Sequence, residues 1–189
     1  MDQQHSLFPV KMYANWQSAN GCEVNEHLQD WLLDPSSLTA RLKRHSQQFR
    51  VQLLGQKIEN CCVNEANQDI LVGQQVLVRE VVLFCDEQPQ VFARSLLPLS
   101  SLTGDEKKLA ELGSKSLGQV LFNNPKLQRK RIEVSSFDSS SSIFSLIKYY
   151  QLPLRPILWG RRSVFVLDNK PLMVAEVFLP NAHAYQKHG

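Results

Sequence analysis

The sequence predicts an α+β protein built on a single six-stranded antiparallel sheet with helices packed on it. Six short stretches are rich in β-branched and other apolar residues. Two pairs of these stretches are separated by connections short enough for hairpins, and helix-start patterns are grouped in blocks rather than alternating with the strands. The 189 residues are 43% hydrophobic and 21% charged, which is ordinary for one globular domain. We therefore treat residues 1–189 as a single domain.

Helices are predicted before the first strand. Residues 1–26 are polar and without periodicity, which indicates an irregular lead-in. A short helix is expected to end at 31–33. The stretch Asp34-Pro35-Ser36-Ser37 then offers capping side chains and a proline suited to a first turn, so a second helix should start beside Leu38.

Strands are predicted at 49–58, 76–85, 90–99, 130–137, 161–168 and 171–180. Residues 86–89 should connect one hairpin and residues 168–170 another. Two short helices are expected between the third and fourth strands. The first would start at a capping box over 103–106 and stop at Gly113, and the second would run from Leu117 to about Phe122 with Ser116 as its cap.

Charged residues inside these apolar strands need partners. Arg79 and Glu80 lie at the centre of "VLVREVVLFC", Arg94 lies in "QVFARSLLP", and Glu176 is the one charge in "PLMVAEVFLP". One interpretation is a set of buried structural ion pairs. The other is a closed pocket in which an arginine binds a carboxylate and a glutamate accepts a hydroxyl hydrogen bond. The residues alone leave both open.

Several function classes find no support. The net charge of +3 is too small to indicate nucleic-acid binding, and a basic run at 126–131 is interpreted as solvated surface. No stretch reaches membrane-spanning length, and no signal peptide is visible. The four cysteines and the histidines lack metal-ligand spacing, which favours reduced thiols in a cytosol. No phosphate-binding loop or nucleophile elbow is present, so no cofactor or metal is expected.

The order of several segments closely resembles the bacterial chorismate pyruvate-lyases, from about residue 31 to residue 185. The segments that carry the resemblance are "VREVVLFCDEQP", "ARSLLPLSSLTG", "LGSKSLGQVLF", "LWGRRS" and "KPLMVAEVFLP". The resemblance implies a six-stranded antiparallel sheet with an enclosed ligand cavity. The family's product is 4-hydroxybenzoate. The resemblance implies that Arg79 binds the carboxylate of this product and that Glu176 contacts its phenolic oxygen. It also implies main-chain contacts to the carboxylate at Leu117 and Leu38, which could otherwise be simple apolar helix residues.

The implied activity is conversion of chorismate to 4-hydroxybenzoate and pyruvate, the first step of ubiquinone biosynthesis, by a cytoplasmic monomer. Residues 136–156 look like an insertion, expected as a serine loop and a short helix docked outside the cavity; a cover over the pocket, or a patch for a membrane or partner enzyme, is the alternative. Another function is a non-catalytic domain that binds aromatic acids, as in the effector domains of transcription regulators. Only about 30 residues precede the matched region, too few for a winged helix-turn-helix.

Overall fold

The computed structural model describes residues 7–186 and contains one antiparallel sheet of seven strands. The sheet order is β1-β5-β6-β7-β4-β3-β2. The strands are β1 Gln17–Ser18, β2 Phe49–Asn60, β3 Gln75–Cys85, β4 Gln88–Pro98, β5 Gln128–Phe137, β6 Leu158–Leu167 and β7 Lys170–Phe178. The α+β class is confirmed, but the predicted count of six strands is wrong by one. The extra strand, β1, lies within the lead-in and pairs two residues with β5.

The helices are short and lie between the strands. They are α1 Glu26–Leu32, α2 Leu38–Arg44, α3 Leu117–Phe122 and α4 Phe144–Tyr149, with 3-10 segments at Leu99–Ser101, Gly104–Glu111 and His183–Tyr185. The caps predicted for α2 and α3 are confirmed, since Ser37 and Ser116 each accept a hydrogen bond from a first-turn amide. The segment after 103 is a 3-10 helix, and the predicted capping box does not form. Thr103 makes no side-chain cap, and Glu106 accepts a hydrogen bond from Lys170 instead. Within residues 7–186, no helix has the length and apolar character needed to cross a membrane.

Both predicted hairpins form, with tighter turns than expected. Asp86 and Glu87 have φ of 48° and 63°, and Asp168 and Asn169 have φ of 49° and 63°. Two consecutive residues with positive φ are typical of the type I′ turn, whose twist matches that of the flanking strands. Strand pairing therefore begins immediately after each turn, at Gln88 and at Lys170.

The sheet has two covered faces. On one face, α1, α2 and α3 pack over alternate residues of the central strands, including Val81 and Ala93. On the other face, the lead-in and α4 cover the residues between them, such as Val82. In α4, Leu146 and Ile147 are buried in that second cluster. The helix predicted to dock on the surface is thus part of the core, on the sheet face opposite α1, α2 and α3.

Candidate active site

A partly enclosed cavity lies between the sheet and the starts of α2 and α3. The volume within it that can hold the centre of a water molecule is about 40 Å³. Leu38, Arg79, Leu117 and Glu176, the four residues selected from the sequence, all line it. Its other polar and charged lining residues are Thr39, Ser95, Ser116, Arg129 and Arg161. Aliphatic and aromatic side chains supply the rest, including Val81, Ala93, Leu121, Phe165 and Val174. No residue of the 136–156 segment is part of this wall.

Arg79 is a buried cation that meets carbonyl oxygens rather than a carboxylate. Its side chain is only 1% exposed. Nη1 donates to the carbonyl oxygen of Gly113 at 2.8 Å, and Nη2 donates to that of Lys115 at 2.7 Å. Burial lowers the pKa of Arg79 to about 10. Among the described residues no acidic side chain forms an ion pair with it, so the guanidinium lines the cavity with its charge uncompensated.

The same contacts of Arg79 fix the start of α3. The carbonyl oxygens that it holds belong to the loop directly before Ser116, the cap of that helix. The Ser116 hydroxyl lies 2.6 Å from the Thr39 hydroxyl, which joins the starts of α3 and α2. Gly118 permits this approach, because a Cβ there would lie 3.3 Å from Thr39 Oγ1. The two helix starts therefore sit side by side at one end of the cavity.

The first amide of each of these helices has no intrahelical acceptor, because it lies at the helix start. Ser37 Oγ accepts from the amide of Ala40, and Ser116 Oγ accepts from the amide of Gln119. The N–H groups of Leu38 and Leu117 come first in their helices, where no carbonyl four residues earlier is in position to accept. Both residues line the cavity.

Glu176 is held by a buried arginine on the neighbouring strand. Arg161, 1% exposed, donates from Nε to Glu176 Oε2 at 2.8 Å and from Nη1 to the Asp34 carbonyl oxygen at 2.8 Å. The strand register places Glu176 opposite Ala93, whereas Arg79 lies opposite Ser95. Two strands and two residues of offset correspond to about 12 Å between the Cα atoms of Arg79 and Glu176. The two side chains thus lie toward opposite ends of the cavity.

Arg129 also lines the cavity, which corrects the interpretation of 126–131 as solvated surface. Lys126 and Lys130 are exposed, but the Arg129 guanidinium lies 4.9 Å from the ring centre of Phe165. Burial, followed by repulsion from Arg161, lowers the pKa of Arg129 to about 10. The strand pairing is irregular between Arg129 and Arg131. That bulge disturbs the alternation from which the facing of Arg129 could have been predicted.

Sequence reasoning treated Arg94 as equivalent to the cavity residues, but it lies on the other sheet face. It bonds Glu80 at 2.8 Å and Glu65 at 2.7 Å, with all three residues buried. Burial alone would lower the pKa of Arg94, but Glu65 and Glu80 raise it above its usual value. Glu80 also accepts from the amide of Val10 at 2.7 Å. For Arg94 and Glu80 the structural ion pair is therefore the correct interpretation.

Comparison with known proteins identifies the family. The family model described as chorismate lyase matches residues 10–189. The chain belongs to the chorismate lyase family. A protein named probable chorismate pyruvate-lyase from Psychromonas ingrahamii is 42% identical over 161 residues, covering 85% of this chain and 87% of that protein. A relative of the same name from Pseudoalteromonas translucida is 40% identical over 182 residues, covering 94% of this chain and 98% of that protein.

Solved structures share the fold of this chorismate lyase family member at low sequence identity. PhnF from Mycobacterium smegmatis aligns with a TM-score of 0.56 and 15% identity, over 79% of this chain and 66% of that one. A GntR-family transcriptional regulator from Bacillus cereus aligns with a TM-score of 0.54 and 14% identity, over 76% of this chain and 99% of that one. At such identities the likeness extends to the fold alone.

Proposed function

We propose that the cavity is the active site of a lyase that converts chorismate to 4-hydroxybenzoate and pyruvate, the first step of ubiquinone biosynthesis. Family membership supports the reaction. The observation that carries the assignment of the site is Arg79, a buried guanidinium that lines the cavity without an acidic partner among the described residues. Leaving a cation buried in this way costs free energy, and a bound carboxylate would offset that cost.

In this proposal the ring carboxylate of chorismate lies between Arg79 and the two helix starts. Arg79 supplies the positive charge, and the amides of Leu117 and Leu38 donate hydrogen bonds to the carboxylate oxygens. A backbone donor does not depend on its side chain, so leucine at either position serves as well as another apolar residue. The apolar walls exclude water, which strengthens each of these electrostatic contacts.

Glu176 accepts a hydrogen bond from the ring hydroxyl at the other end of the substrate. Arg161 engages Oε2 and keeps the carboxylate oriented, which leaves Oε1 to accept from the hydroxyl. The bond between the ring carbon and the ether oxygen breaks, and the hydrogen on the ring carbon that bears the hydroxyl leaves as a proton. The ring becomes aromatic, and the released enolpyruvate takes up a proton to become pyruvate. Aromatisation drives this step, and the protein contributes positioning and preorganised charge.

The direct test is to incubate the purified protein with chorismate and to follow both products. Pyruvate release is measured with a coupled lactate dehydrogenase assay, and 4-hydroxybenzoate is identified by chromatography. We expect the two products in equal amounts. A protein that binds 4-hydroxybenzoate but releases no pyruvate would instead support the alternative of a non-catalytic binding domain.

Location and assembly belong to the same proposal. We expect the protein in the cytoplasm, where its four free cysteines would stay reduced, and we expect a monomer. Cell fractionation and analytical ultracentrifugation measure these two properties independently of activity.

A further inference from the structure

The cavity wall carries more positive charge than one carboxylate requires. Its charged lining residues are Arg79, Arg129, Arg161 and Glu176, three cations and one anion. The single anion is already paired with Arg161. Two positive charges therefore remain, on Arg79 and on Arg129. Chorismate carries two carboxylates, one on the ring and one on the enolpyruvyl group, whereas 4-hydroxybenzoate carries one.

We propose that Arg129 binds the enolpyruvyl carboxylate of chorismate, and that it is a substrate-binding residue distinct from those that hold the product. This inference rests on the proposed function. Arg79 and Arg129 then bind the two carboxylates separately. When pyruvate leaves, Arg129 loses its anion and Arg79 keeps one, so Arg129 distinguishes the substrate from the product.

The contacts of Arg129 leave its charge available. Nη1 donates to the Asp34 carbonyl oxygen at 3.1 Å, and Nε is buried without a hydrogen-bond partner. Its guanidinium lies 4.9 Å from the ring centre of Phe165 and 5.6 Å from that of Phe122. Aromatic faces hold a guanidinium in place without neutralising it. Among the described residues, no acidic side chain forms an ion pair with Arg129.

The position of Arg129 relative to Glu176 fits the substrate. The guanidinium groups of Arg129 and Arg161 converge on the same carbonyl oxygen, that of Asp34, and Arg161 in turn bonds Glu176. Arg129 therefore lies at the Glu176 end of the cavity. In chorismate the enolpyruvyl ether is attached to the ring carbon next to the one that bears the hydroxyl. A hydroxyl at Glu176 brings the neighbouring enolpyruvyl group toward Arg129.

Two stable aromatic ligands isolate this contact without any reaction. One is 3-(carboxymethoxy)-4-hydroxybenzoate, which adds a second carboxylate at the position of the ether. The other is 3-ethoxy-4-hydroxybenzoate, which has an uncharged arm of similar size. Calorimetry on the wild type should show the dicarboxylate binding about 10- to 100-fold more tightly than the ethoxy compound, the range for hydrogen bonds to charged groups.

The test variant is Arg129→Gln, and the matched control is Arg131→Gln. Arg131 belongs to the same basic run but pairs with Asp69 outside the cavity. In Arg129→Gln we expect the dicarboxylate to bind no more than about threefold more tightly than the ethoxy compound. The affinity for 4-hydroxybenzoate should be nearly unchanged. Arg131→Gln should keep the full preference. For chorismate, Arg129→Gln should lower kcat/KM by about 100-fold.

Three results would overturn the inference. They are an undiminished dicarboxylate preference in Arg129→Gln, an equal loss of affinity for both ligands, and a wild type with no preference. Arg129→Lys, which keeps the charge but not the planar fork, covers the case in which glutamine disturbs folding. It should retain part of the preference, and its complete loss in a folded lysine variant would also count against Arg129. A wild type that shows the preference but releases no pyruvate from chorismate would contradict the proposed function and not this contact.

Discussion

Replacing Arg79 with methionine should separate ligand binding from folding. Methionine fills a similar volume but removes the guanidinium that lies inside the cavity. A carboxylate that loses a buried charged partner loses about 2–5 kcal/mol of binding free energy. At 1.4 kcal/mol for each factor of ten, a loss of about 3 kcal/mol weakens 4-hydroxybenzoate binding by more than about 100-fold.

The effect of this substitution on stability combines two opposing contributions. Burial lowers the pKa of Arg79 to about 10, which means that the charged side chain destabilises the folded protein by about 3 kcal/mol at neutral pH. Removing the guanidinium relieves that cost but leaves the carbonyl oxygens of Gly113 and Lys115 without their donor. Leaving each partly buried carbonyl without its donor lowers the free energy of unfolding by about 1–3 kcal/mol. We therefore expect the free energy of unfolding of the ligand-free variant to lie between about 1 kcal/mol above and about 3 kcal/mol below that of the wild type.

The pH dependence has a definite sign. A cation whose pKa is lower in the folded state than in the unfolded state destabilises the fold at every pH below its folded-state pKa. That penalty is relieved as the pH rises through about 10 for Arg79. The wild type should consequently gain stability relative to Arg79→Met above pH 10, because the other titrating groups are common to both proteins.

Urea unfolding without ligand, calorimetry with 4-hydroxybenzoate and pyruvate release test this prediction together. An Arg79→Met protein that binds 4-hydroxybenzoate nearly as well as the wild type would refute the binding role. A ligand-free variant destabilised by more than about 4 kcal/mol would refute the energetic argument and favour a purely structural arginine.

Other substitutions test the remaining parts of the site and its surroundings. Glu176→Gln should weaken 4-hydroxybenzoate binding by about tenfold, since a neutral acceptor makes the weaker hydrogen bond, and wild-type protein should bind benzoate more weakly than 4-hydroxybenzoate. Equal calorimetric affinities for the two ligands would contradict that role. Arg94→Met should cost about 3–5 kcal/mol in urea unfolding, because Glu65 and Glu80 lose their cation, but turnover per folded molecule should persist. Loss of turnover with unchanged stability would oppose this. Leu146→Ala in α4 should cost about 2–5 kcal/mol and leave product affinity intact; weaker product binding in a folded variant would connect α4 to the cavity.

Local patterns predicted most of the fold. Stretches rich in β-branched and other apolar residues located six strands, and Ser37 and Ser116 located two helix starts. Strand β1 was missed because two exposed residues, Gln17 and Ser18, have no pattern to detect and depend on pairing with β5. The 3-10 segment was missed because the capping-box sequence is present but the capping bond of Thr103 is not.

The candidate site was predictable only in part, and its most informative contacts are non-local. The resemblance selected Arg79 and Glu176, and the structure brings both to one cavity. It gave Arg161 no role, although the pair formed by Arg161 and Glu176 joins strands that are adjacent in the sheet. Arg129 was hidden by its exposed neighbours and by the bulge that follows it. Side-chain facing next to a bulge depends on tertiary pairing, which a single sequence does not display.

Arg79 and Glu80 are consecutive in the chain but point to opposite faces of the sheet, one into the cavity and one into the ion-pair network beneath the lead-in. Adjacent residues of β3 therefore have separate roles, one in the cavity and the other in the ion-pair network. A mutant library confined to the cavity-facing positions of β3, β4 and β7 could alter the repertoire of aromatic acids that the protein accepts. The interleaved positions, which hold Glu80 and Arg94, would remain untouched, so each member of that library would retain this ion-pair network.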